Sequence, residues 1–500
     1  MNIVNLFLEA AEQYPDKVAL IHKGMEITYA QLKVKVLQQV AYLQEKNILK
    51  GDKVLVYIPM SIDLYIMLLA IFYNGSVAVF IDEWANKERI SQCCRMIDCK
   101  GFAGGWKATL FAWFNKDLRT IPLKVFITKQ TNIYNHLPVE MEENVSALIT
   151  LTSGSTGIPK AANRTHGFLF EQFNALEHLI AGSENFTELC TLPIVTMLNL
   201  GHGKTTVIPS FKTSKPKTFI PENIYSDIER YYIESIVASP YYTASLGKYG
   251  VENKFQNYTV KHLVTGGGPV FPDVAKDIVY TFPDAKNMIV YGSTEAEPIS
   301  HIDANKLQYY TLENGLPVGI PDAQTELCII QFLPDTYHEY SGNEWENIQC
   351  SVGQFGEIVV KGKHVLENYL GLAKDQLNNK IKTNSGLWHR TGDAGRLGND
   401  GVLYLLGRCK ESFVYHNTYV FPFILEYTLK NISGIKEGTI IQINNIPIIF
   451  FVPSADFDKA FFTSELSKLG LGNIETRKLD SLPKDPRHHT KIDYNRLKNL

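Results

Sequence analysis

The stretch that most restricts the fold is a strand–helix–strand pattern over residues 53–81. An apolar segment at 53–58 is followed by Ser61, which is suited to cap a helix over 62–73, and by a second apolar segment at 77–81. Two strands joined by a helix in this way lie parallel in one sheet, because a parallel connection needs a crossover of about a dozen residues. The chain is therefore predicted to build a parallel α/β sheet.

The same pattern recurs along the first two thirds of the chain. Further candidate strands, with helical stretches between several of them, lie at 125–127, 147–151, 235–238, 262–264 and 287–291. The chain has 500 residues, which is more than one ordinary core accommodates. We predict a large N-terminal domain of doubly wound parallel sheets, with ligands at the carboxyl ends of the strands.

The pattern changes near residue 320. Short strands separated by turns predict a small antiparallel, barrel-like subdomain, with strands at 326–330, 356–361 and 401–406. After Arg408 the pattern begins again, with helices near 422–430 and 457–468 and strands near 438–443 and 447–452. The predicted domains are residues 1–408 and a small α+β domain at 409–500.

Charge and cysteine usage exclude several classes of function. Lys and Arg number 49 and Asp and Glu 52, so a net charge of −3 provides no broad basic surface for nucleic acid. The longest apolar run, residues 64–73, is about half the length that a bilayer requires, and the amphipathic N-terminus is unlike a signal peptide. Cys93, Cys94 and Cys99 cluster without a histidine at zinc spacing. We therefore expect free thiols, a cytoplasmic location and no stable membrane insertion.

Residues 152–160 have the composition of a phosphate-binding loop that follows a buried strand. Glycines let backbone N–H groups turn inward, hydroxyl groups add donors, and Lys160 supplies a positive charge for a polyphosphate. The spacing differs from that of a Walker loop, and the alternative for this segment alone is a plain surface turn. The predicted ligands are Thr152, Ser153, Gly154, Ser155, Thr156, Gly157 and Lys160.

Two further motifs combine a tight turn with a carboxylate. Residues 291–295 follow a strand and place Tyr291, whose ring can stack on a purine, near Glu295, which could hold a hard cation together with Thr156. Residues 388–393 place Asp393 after a glycine turn, where its carboxylate can accept both hydroxyls of a ribose. For residues 291–295 alone the alternative is a strand-end turn with a solvated acid, and for residues 388–393 alone it is an ordinary Gly-Asp hairpin turn.

Two basic residues complete the set of candidates. Arg408 lies just past a strand end, where it can contact a sugar or a phosphate. Lys491 lies in a basic C-terminal segment, for which the alternative is a solvated surface.

In their order along nearly the whole chain, these motifs resemble those of the adenylate-forming superfamily, which includes acyl-CoA synthetases, firefly luciferases and non-ribosomal peptide adenylation domains. The resemblance implies ATP and Mg²⁺ as ligands, with Glu295 and Thr156 on the metal. It implies catalytic roles for Glu295, for Thr294 at the α-phosphate and for Lys491 between the substrate carboxylate and that phosphate. It further implies a mobile lid at residues 409–500 with a domain hinge at Lys410, ribose binding by Asp393, and nucleotide binding by Gly266, Gly267, Gly268, Tyr291, Gly292, Ser293 and Arg408.

The acceptor of the acyl group is a separate question. Several phrases, among them residues 162–167 and 487–493, are most similar to olefin-pathway β-lactone synthetases. Those enzymes adenylate a β-hydroxy acid, and the hydroxyl of the same molecule then closes a four-membered ring. Two departures from thioester-forming relatives point the same way. Thr196 stands where many CoA ligases have a histidine, and Asn417 stands where they often have a glycine.

Three functions therefore stay open from the sequence. The first is activation of a small-molecule carboxylic acid, fatty or hydroxy acyl, as acyl-AMP, followed by transfer to CoA or to a separate carrier protein. The second is β-lactone closure. The third is a non-catalytic protein that binds a nucleotide or an acyl chain, and the retained charged residues argue against it. The predicted acyl pocket contains Thr196, Asn199, Pro240 and Glu297, of which Glu297 replaces the apolar residue of β-lactone relatives.

Overall fold

Strands and helices alternate along the first part of the chain, as the sequence pattern predicts. The computed structural model describes residues 1–81, 87–152, 160–180, 185–211, 218–372, 377–484 and 492–500. Its elements up to residue 293 are α1 (Val4–Gln13), β1 (Val18–His22), β2 (Met25–Thr28), α2 (Tyr29–Glu45), β3 (Lys53–Tyr57), α3 (Ile62–Tyr73), β4 (Val77–Phe80), α4 (Lys87–Met96), β5 (Gly101–Gly104), α5 (Trp106–Phe114), α6 (Lys116–Arg119), β6 (Leu123–Val125), β7 (Ser146–Thr152), β8 (Lys160–Thr165), α7 (His166–Ile180), β9 (Thr187–Cys190), α8 (Pro193–Gly201), β10 (Thr205–Ile208), α9 (Pro221–Tyr231), β11 (Ile233–Ala238), α10 (Pro240–Glu252), β12 (His262–Gly266), α11 (Pro272–Thr281) and β13 (Lys286–Ser293).

The remaining part of the chain is richer in short strands. Its elements are β14 (Ala296–Asp303), α12 (Ala304–Leu307), β15 (Leu316–Pro321), β16 (Glu326–Ile330), β17 (His338–Glu339), α13 (Asn343–Asn347), β18 (Phe355–Lys361), β19 (Lys380–Thr383), β20 (Gly386–Leu397), β21 (Leu403–Arg408), β22 (Phe413–Tyr415), β23 (Thr418–Val420), α14 (Pro422–Lys430), β24 (Ile435–Ile443), β25 (Ile446–Pro453), α15 (Lys459–Lys468), β26 (Glu475–Lys478) and α16 (Tyr494–Leu497).

The predicted strand–helix–strand unit is present as β3, α3 and β4. The two strands pair in parallel, and the backbone N–H of Leu64 donates to Oγ of Ser61 at 3.4 Å, as a helix cap should. They belong to a six-stranded sheet in the order β6-β5-β3-β4-β7-β8, which is parallel except for β8. Helix α3 is buried over most of its length, and it shares one apolar core with Leu20 of β1 and Val54 of β3. This core joins the six-stranded sheet to the larger one.

The larger sheet is parallel on one side and antiparallel on the other. Strands β13, β12, β11, β9, β10 and β1 follow one another in parallel, whereas β14, β15, β21, β20, β18 and β16 continue the same sheet with antiparallel neighbours. The direction changes at β13 and β14, which form a hairpin. The predicted α/β fold class is confirmed, with the difference that the antiparallel strands extend the large sheet.

The C-terminal part has its own small sheet. Strands β24, β25 and β26 form it, and α14 begins at Pro422 as predicted. Helix α14 also contacts the first part of the chain, because the rings of Tyr427 and Phe271 stack with centroids 4.8 Å apart. The predicted domain boundary lies directly after β21, and the division into residues 1–408 and 409–500 stays a prediction.

Two observations bear on the predicted environment of the chain. All seven cysteines are free, and Cys93 and Cys99 are buried in an apolar core. Within the part of the chain that the structure describes, no helix combines the length and the apolar character needed to cross a bilayer.

Candidate active site

The predicted phosphate loop connects two antiparallel neighbours in the six-stranded sheet. Thr152 is the last residue of β7 and pairs with Lys160, the first residue of β8. Five predicted ligands, Ser153, Gly154, Ser155, Thr156 and Gly157, lie outside the described residues. The structure therefore fixes where the loop leaves one strand and enters the next.

A segment far away in sequence joins this strand pair to the hairpin of β13 and β14. Residues 365–370, called the connecting segment here, pair with Ala162 of β8 through Tyr369 and with Ala296 of β14 through Val365. Within it, the backbone N–H of Leu366 donates to the carbonyl of Glu295 at 2.7 Å. Strand β8, which follows the predicted loop, and strand β14, which follows Glu295, are thus held against one backbone segment.

Glu295 is bound by a side chain of the connecting segment. The phenol Oη of Tyr369 donates to Oε1 of Glu295 at 3.1 Å, and Nδ2 of Asn379 donates to the same phenol oxygen at 2.6 Å. Burial and the Glu295 carboxylate raise the pKa of Tyr369, so the phenol keeps its proton and remains a donor. The carboxylate is held in place while it keeps further lone pairs for a ligand.

Lys160 lies beside this pair. Its Nζ donates to Oδ1 of Asn378 at 2.6 Å and lies 5.2 Å from the centroid of the Tyr369 ring. Burial lowers the pKa of Lys160, and the carboxylates of Asp335 and Glu295 oppose that effect. Lys160, where the predicted loop ends, and Glu295, in the turn of the hairpin, thus both contact Tyr369.

Lys380 is a buried lysine in the same neighbourhood that the sequence did not reveal. The Lys- and Asn-rich composition of residues 377–386 predicts an exposed loop, but β19 begins at Lys380, whose Nζ donates to the carbonyl of Leu366. Burial lowers the pKa of Lys380 from 10.5 to about 7. The carboxylates of Glu295 and Glu367 raise it, and the charge of Lys160 lowers it further.

We predict that replacing Lys380 with methionine changes the pH dependence of stability. Between pH 7 and 10.5 the unfolded chain holds a proton at Lys380 that the folded chain has lost. The free energy of unfolding of the wild type should therefore rise with pH relative to Lys380→Met, by up to about 1.4 kcal/mol per pH unit. Urea unfolding of both proteins at several pH values in this window measures the difference. Parallel curves would show that Lys380 does not titrate there.

A second group of predicted residues meets near the carboxyl end of β13, just before the turn of the hairpin. The phenol Oη of Tyr291 donates to Oδ2 of Asp393 at 2.7 Å, and Nη1 of Arg408 lies 3.2 Å from Oδ1 of the same carboxylate. Burial and the Asp393 carboxylate raise the pKa of Tyr291 far above its usual value, so the phenol stays protonated. The predicted aromatic ring, carboxylate and guanidinium group are in direct contact.

The structure corrects the local conformation expected around Asp393. The expected glycine turn before Asp393 is absent, because residues 386–397 form the continuous strand β20 and Asp393 pairs with Arg408 of β21. Gly392 has φ +71°, which distorts the strand without ending it. Arg390 of the same motif is buried, and its Nη2 lies 2.7 Å from Oε2 of Glu357. We therefore assign Arg390 to holding β18 and β20 together.

The predicted glycines lie at the carboxyl ends of β12 and β13. Gly266 ends β12, Gly267 has φ +87°, which other residues rarely adopt, and Gly268 follows. A Cβ atom on Gly292 would lie 2.9 Å from the carbonyl oxygen of Ala296, so only glycine fits this approach within the hairpin. These positions leave backbone groups close to Tyr291, at the edge where ligands of parallel sheets bind.

The turn between β13 and β14 carries Thr294, which is predicted to contact the α-phosphate. Oγ of Ser293 accepts from the backbone N–H of Glu295 at 3.2 Å, and Nη2 of Arg164 donates to the carbonyl of Thr294 at 3.2 Å. Arg164 lies on β8, so it forms a second link between the phosphate-loop strand and the hairpin.

The four residues predicted for the acyl pocket have different environments. Thr196 and Asn199 are buried on α8, Pro240 is the buried first residue of α10, and Glu297 is half-buried on β14. Nδ2 of Asn199 donates to Oε1 of Glu188 at 2.6 Å within a buried polar cluster. This contact favours a structural role for Asn199 over the predicted contact with an acyl group.

Two predicted residues belong to the C-terminal part. Nζ of Lys410, the predicted hinge, lies 2.5 Å from Oδ2 of Asp335, and the hinge role stays a prediction. Lys491 lies outside the described residues, whereas Lys484 and Ile492 on either side of residues 485–491 pair with each other. The two ends of the segment that carries Lys491 are therefore fixed together.

Sequence reasoning missed the side chains that support the site. Tyr369, Asn378, Asn379, Lys380 and Arg164 all act through contacts between residues distant in sequence. None lies in a spacing pattern that points to phosphate or metal chemistry. Among the described residues, the pairing of the connecting segment with β8 and β14 places Tyr369 beside Glu295.

Comparison with known proteins adds to this geometry. Residues 7–370 match the family of AMP-binding enzymes. The chain is 25% identical over 446 residues to the olefin beta-lactone synthetase of Xanthomonas campestris pv. campestris, covering 81% of this chain and 78% of that protein. It is 23% identical over 453 residues to 2-succinylbenzoate–CoA ligase of Bacillus subtilis, covering 87% and 84%. The fold is similar to the solved structure of O-succinylbenzoate coenzyme A synthetase from Bacillus subtilis in complex with ATP and magnesium ion. The TM-score is 0.82 at 20% identity, and the superposition covers 99% of this chain and 99% of that chain.

Proposed function

The chain belongs to the family of AMP-binding enzymes, and from this premise we propose that it joins a carboxylic acid to the α-phosphate of ATP. A carboxylate oxygen of the acid attacks the α-phosphorus, the bond to the bridging oxygen of the β-phosphate breaks, and pyrophosphate leaves. The product is an acyl-AMP. Support comes chiefly from one observation. Tyr369 contacts both Lys160 and Glu295, and Glu295 lies in the turn of the hairpin whose first strand carries Tyr291, the partner of Asp393.

The residues present suit both a nucleotide and a hard cation. Asp393 accepts one hydrogen bond from Tyr291 and keeps lone pairs for the hydroxyls of a ribose. Glu295 keeps lone pairs beside Tyr369, and carboxylate oxygens are ligands that Mg²⁺ prefers. We propose that Glu295 holds Mg²⁺ together with Thr156. When bound, this ion reduces the negative charge of the phosphate oxygens.

Positive charge is needed because the reaction brings two anions together. The acid carries a carboxylate, ATP carries phosphates, and negative charge grows on the α-phosphoryl oxygens in the transition state. We assign Lys160 to the phosphates of ATP, and Lys491 to the approaching carboxylate and the α-phosphate. Because an acyl-AMP is a mixed anhydride that water hydrolyses, we further propose that the part after Lys410 moves as a lid that limits the access of water.

We predict that Asp393→Asn raises the KM for ATP by about tenfold to a hundredfold, because a hydrogen bond to a charged group contributes roughly 1.5–3 kcal/mol. Steady-state pyrophosphate exchange measures this value. Tyr291→Phe is the matched comparison, since it removes the phenol O–H from Asp393 and keeps the ring, and its effect should be smaller. An unchanged KM in Asp393→Asn would contradict the assignment of this carboxylate to the ribose.

Two acceptors for the acyl group are proposed. One is a thiol, of CoA or of a carrier protein, and the other is the hydroxyl of a β-hydroxy acid that closes a β-lactone. The second receives support from the likeness to olefin beta-lactone synthetases and from the residue types at Thr196 and at Asn417, which lies in the turn between β22 and β23. There His416 and Asn417 have φ +47° and +60°, so Asn417 keeps the left-handed turn without the glycine that many CoA ligases have.

The function is tested by pyrophosphate exchange into ATP across a panel of carboxylic acids, followed by mass analysis of the products. A thioester that forms only when CoA or a loaded carrier protein is added supports the ligase. A product lighter than a β-hydroxy acid by one water, formed without a thiol, supports the lactone. Exchange with none of the acids would contradict adenylation and return the non-catalytic binding protein as the better hypothesis. The cytoplasmic location stays a prediction from the sequence.

A further inference from the structure

Three side chains with metal-binding atoms meet where α7 approaches β14. His178 lies in the last turn of α7, His301 lies on β14, and Asp322 directly follows β15. Nε2 of His178 is 3.0 Å and Nδ1 of His301 is 3.7 Å from Oδ2 of Asp322. One potential ligand atom from each residue lies within 4.8 Å of the other two. None of these residues has a role in the proposed adenylation.

Asp322 is oriented so that one carboxylate oxygen faces the two histidines. The residue is 2% exposed, its Oδ1 accepts from the backbone N–H of Gln324 at 3.0 Å, and its own N–H donates to the carbonyl of Ile299 at 2.8 Å. Among the described residues, Oδ2 of Asp322 and Nδ1 of His301 have no partner with hydrogen-bond geometry, despite their proximity. Buried polar atoms of this kind are costly unless a ligand satisfies them.

We propose that His178, His301 and Asp322 bind a divalent transition metal of the zinc class. Two imidazole nitrogens and one carboxylate oxygen are ligands that Zn²⁺ accepts, whereas Mg²⁺ and Ca²⁺ prefer oxygen alone. With metal–ligand bonds of about 2.0–2.2 Å, ligand atoms around a tetrahedral ion are about 3.4 Å apart. The separations of 3.0 and 3.7 Å lie on either side of that value.

A metal at this place joins elements that carry the proposed active site. Helix α7 continues directly from β8, and β14 follows directly after Glu295. Apart from the histidines, α7 is joined to the turn after Asp322 by an exposed hydrogen bond of 3.3 Å from Nε2 of Gln324 to the carbonyl of Asn174. The ligands come from three distant parts of the chain, so the ion binds the folded state and stabilises it.

The test uses the full-length protein, stripped of metal with a chelator and dialysed. Isothermal titration with Zn²⁺ in millimolar Mg²⁺ is expected to show one equivalent bound, and Zn²⁺ is expected to raise the melting temperature. Co²⁺ in place of Zn²⁺ should give the visible absorption of a tetrahedral nitrogen and oxygen site. His178→Ala and His301→Ala should each weaken Zn²⁺ binding by about tenfold or more, because each removes a ligand.

The experiment includes a variant that leaves the core intact and a control at a histidine outside the proposed site. His178 is half exposed, so His178→Ala tests the site without removing a core side chain. His136→Ala replaces another exposed histidine and should bind Zn²⁺ like the wild type. The proposal is wrong if the wild type binds no Zn²⁺, or if binding persists unchanged in both His178→Ala and His301→Ala. Neither result depends on whether the protein adenylates an acid.

Discussion

Replacing Glu295 with glutamine is expected to lower the rate of pyrophosphate exchange by a factor of about 10²–10³, which corresponds to roughly 3–4 kcal/mol of transition-state stabilisation. The amide has the shape of the carboxylate, and its oxygen can still accept the hydrogen bond from Tyr369 that is 3.1 Å long in the wild type. The fold of the hairpin should therefore survive. The negative charge that the proposed site needs for Mg²⁺ is lost.

The measurement is exchange at saturating ATP over a range of Mg²⁺ concentrations. If the lost charge acts through the cation, more Mg²⁺ should restore part of the rate in Glu295→Gln. Glu252→Gln provides the matched control, because Glu252 is exposed at the end of α10 and lies 3.6 Å from Lys248. A Glu295→Gln enzyme within about twofold of the wild type would remove Glu295 from the proposed mechanism.

Lys491→Ala is expected to reduce exchange by a similar factor, about 10² or more, because one preorganised charge at the reacting phosphate is lost. The family resemblance carries this assignment, since Lys491 lies outside the described residues. The structure adds that the neighbouring backbone is held in place. Lys484 pairs with Ile492, and the N–H of Asp493 donates to the carbonyl of Pro483 at 2.9 Å.

Lys484→Ala is the control for a lysine in the same part of the chain. Nζ of Lys484 lies 3.0 Å from Oε1 of Glu437, so its charge is paired within the C-terminal part, and exchange should stay near the wild-type rate. Supplying a preformed acyl-AMP separates the two steps. Its conversion to product should be affected less in Lys491→Ala, because no carboxylate then approaches a phosphate. Equal exchange rates in Lys491→Ala and the wild type would overturn the assignment.

Much of the architecture could be predicted because it depends on short stretches of sequence. The period of apolar residues and a capping serine are sufficient to predict β3, α3 and β4, and the crossover between the strands requires them to be parallel. The tolerance of asparagine for left-handed conformations explains why the turn at Asn417 survives without glycine. Residue types alone also singled out Tyr291, Asp393 and Arg408 as candidates for binding a nucleotide, and the structure brings these three side chains into contact.

Tertiary structure decided which side chains hold the site together and how burial shifts the pKa values of its charged groups. The connecting segment reaches Glu295 and β8 by backbone pairing, so the hydrogen bond from Tyr369 has no local sequence signal. The pKa of Lys380 falls because neighbouring elements bury it, and no property of the residues beside it in sequence predicts that burial. His178, His301 and Asp322 likewise meet only when α7 packs near β14. Local sequence determines strands, helices and turns through backbone preference, whereas hydrogen bonding and burial between distant segments depend on the complete fold.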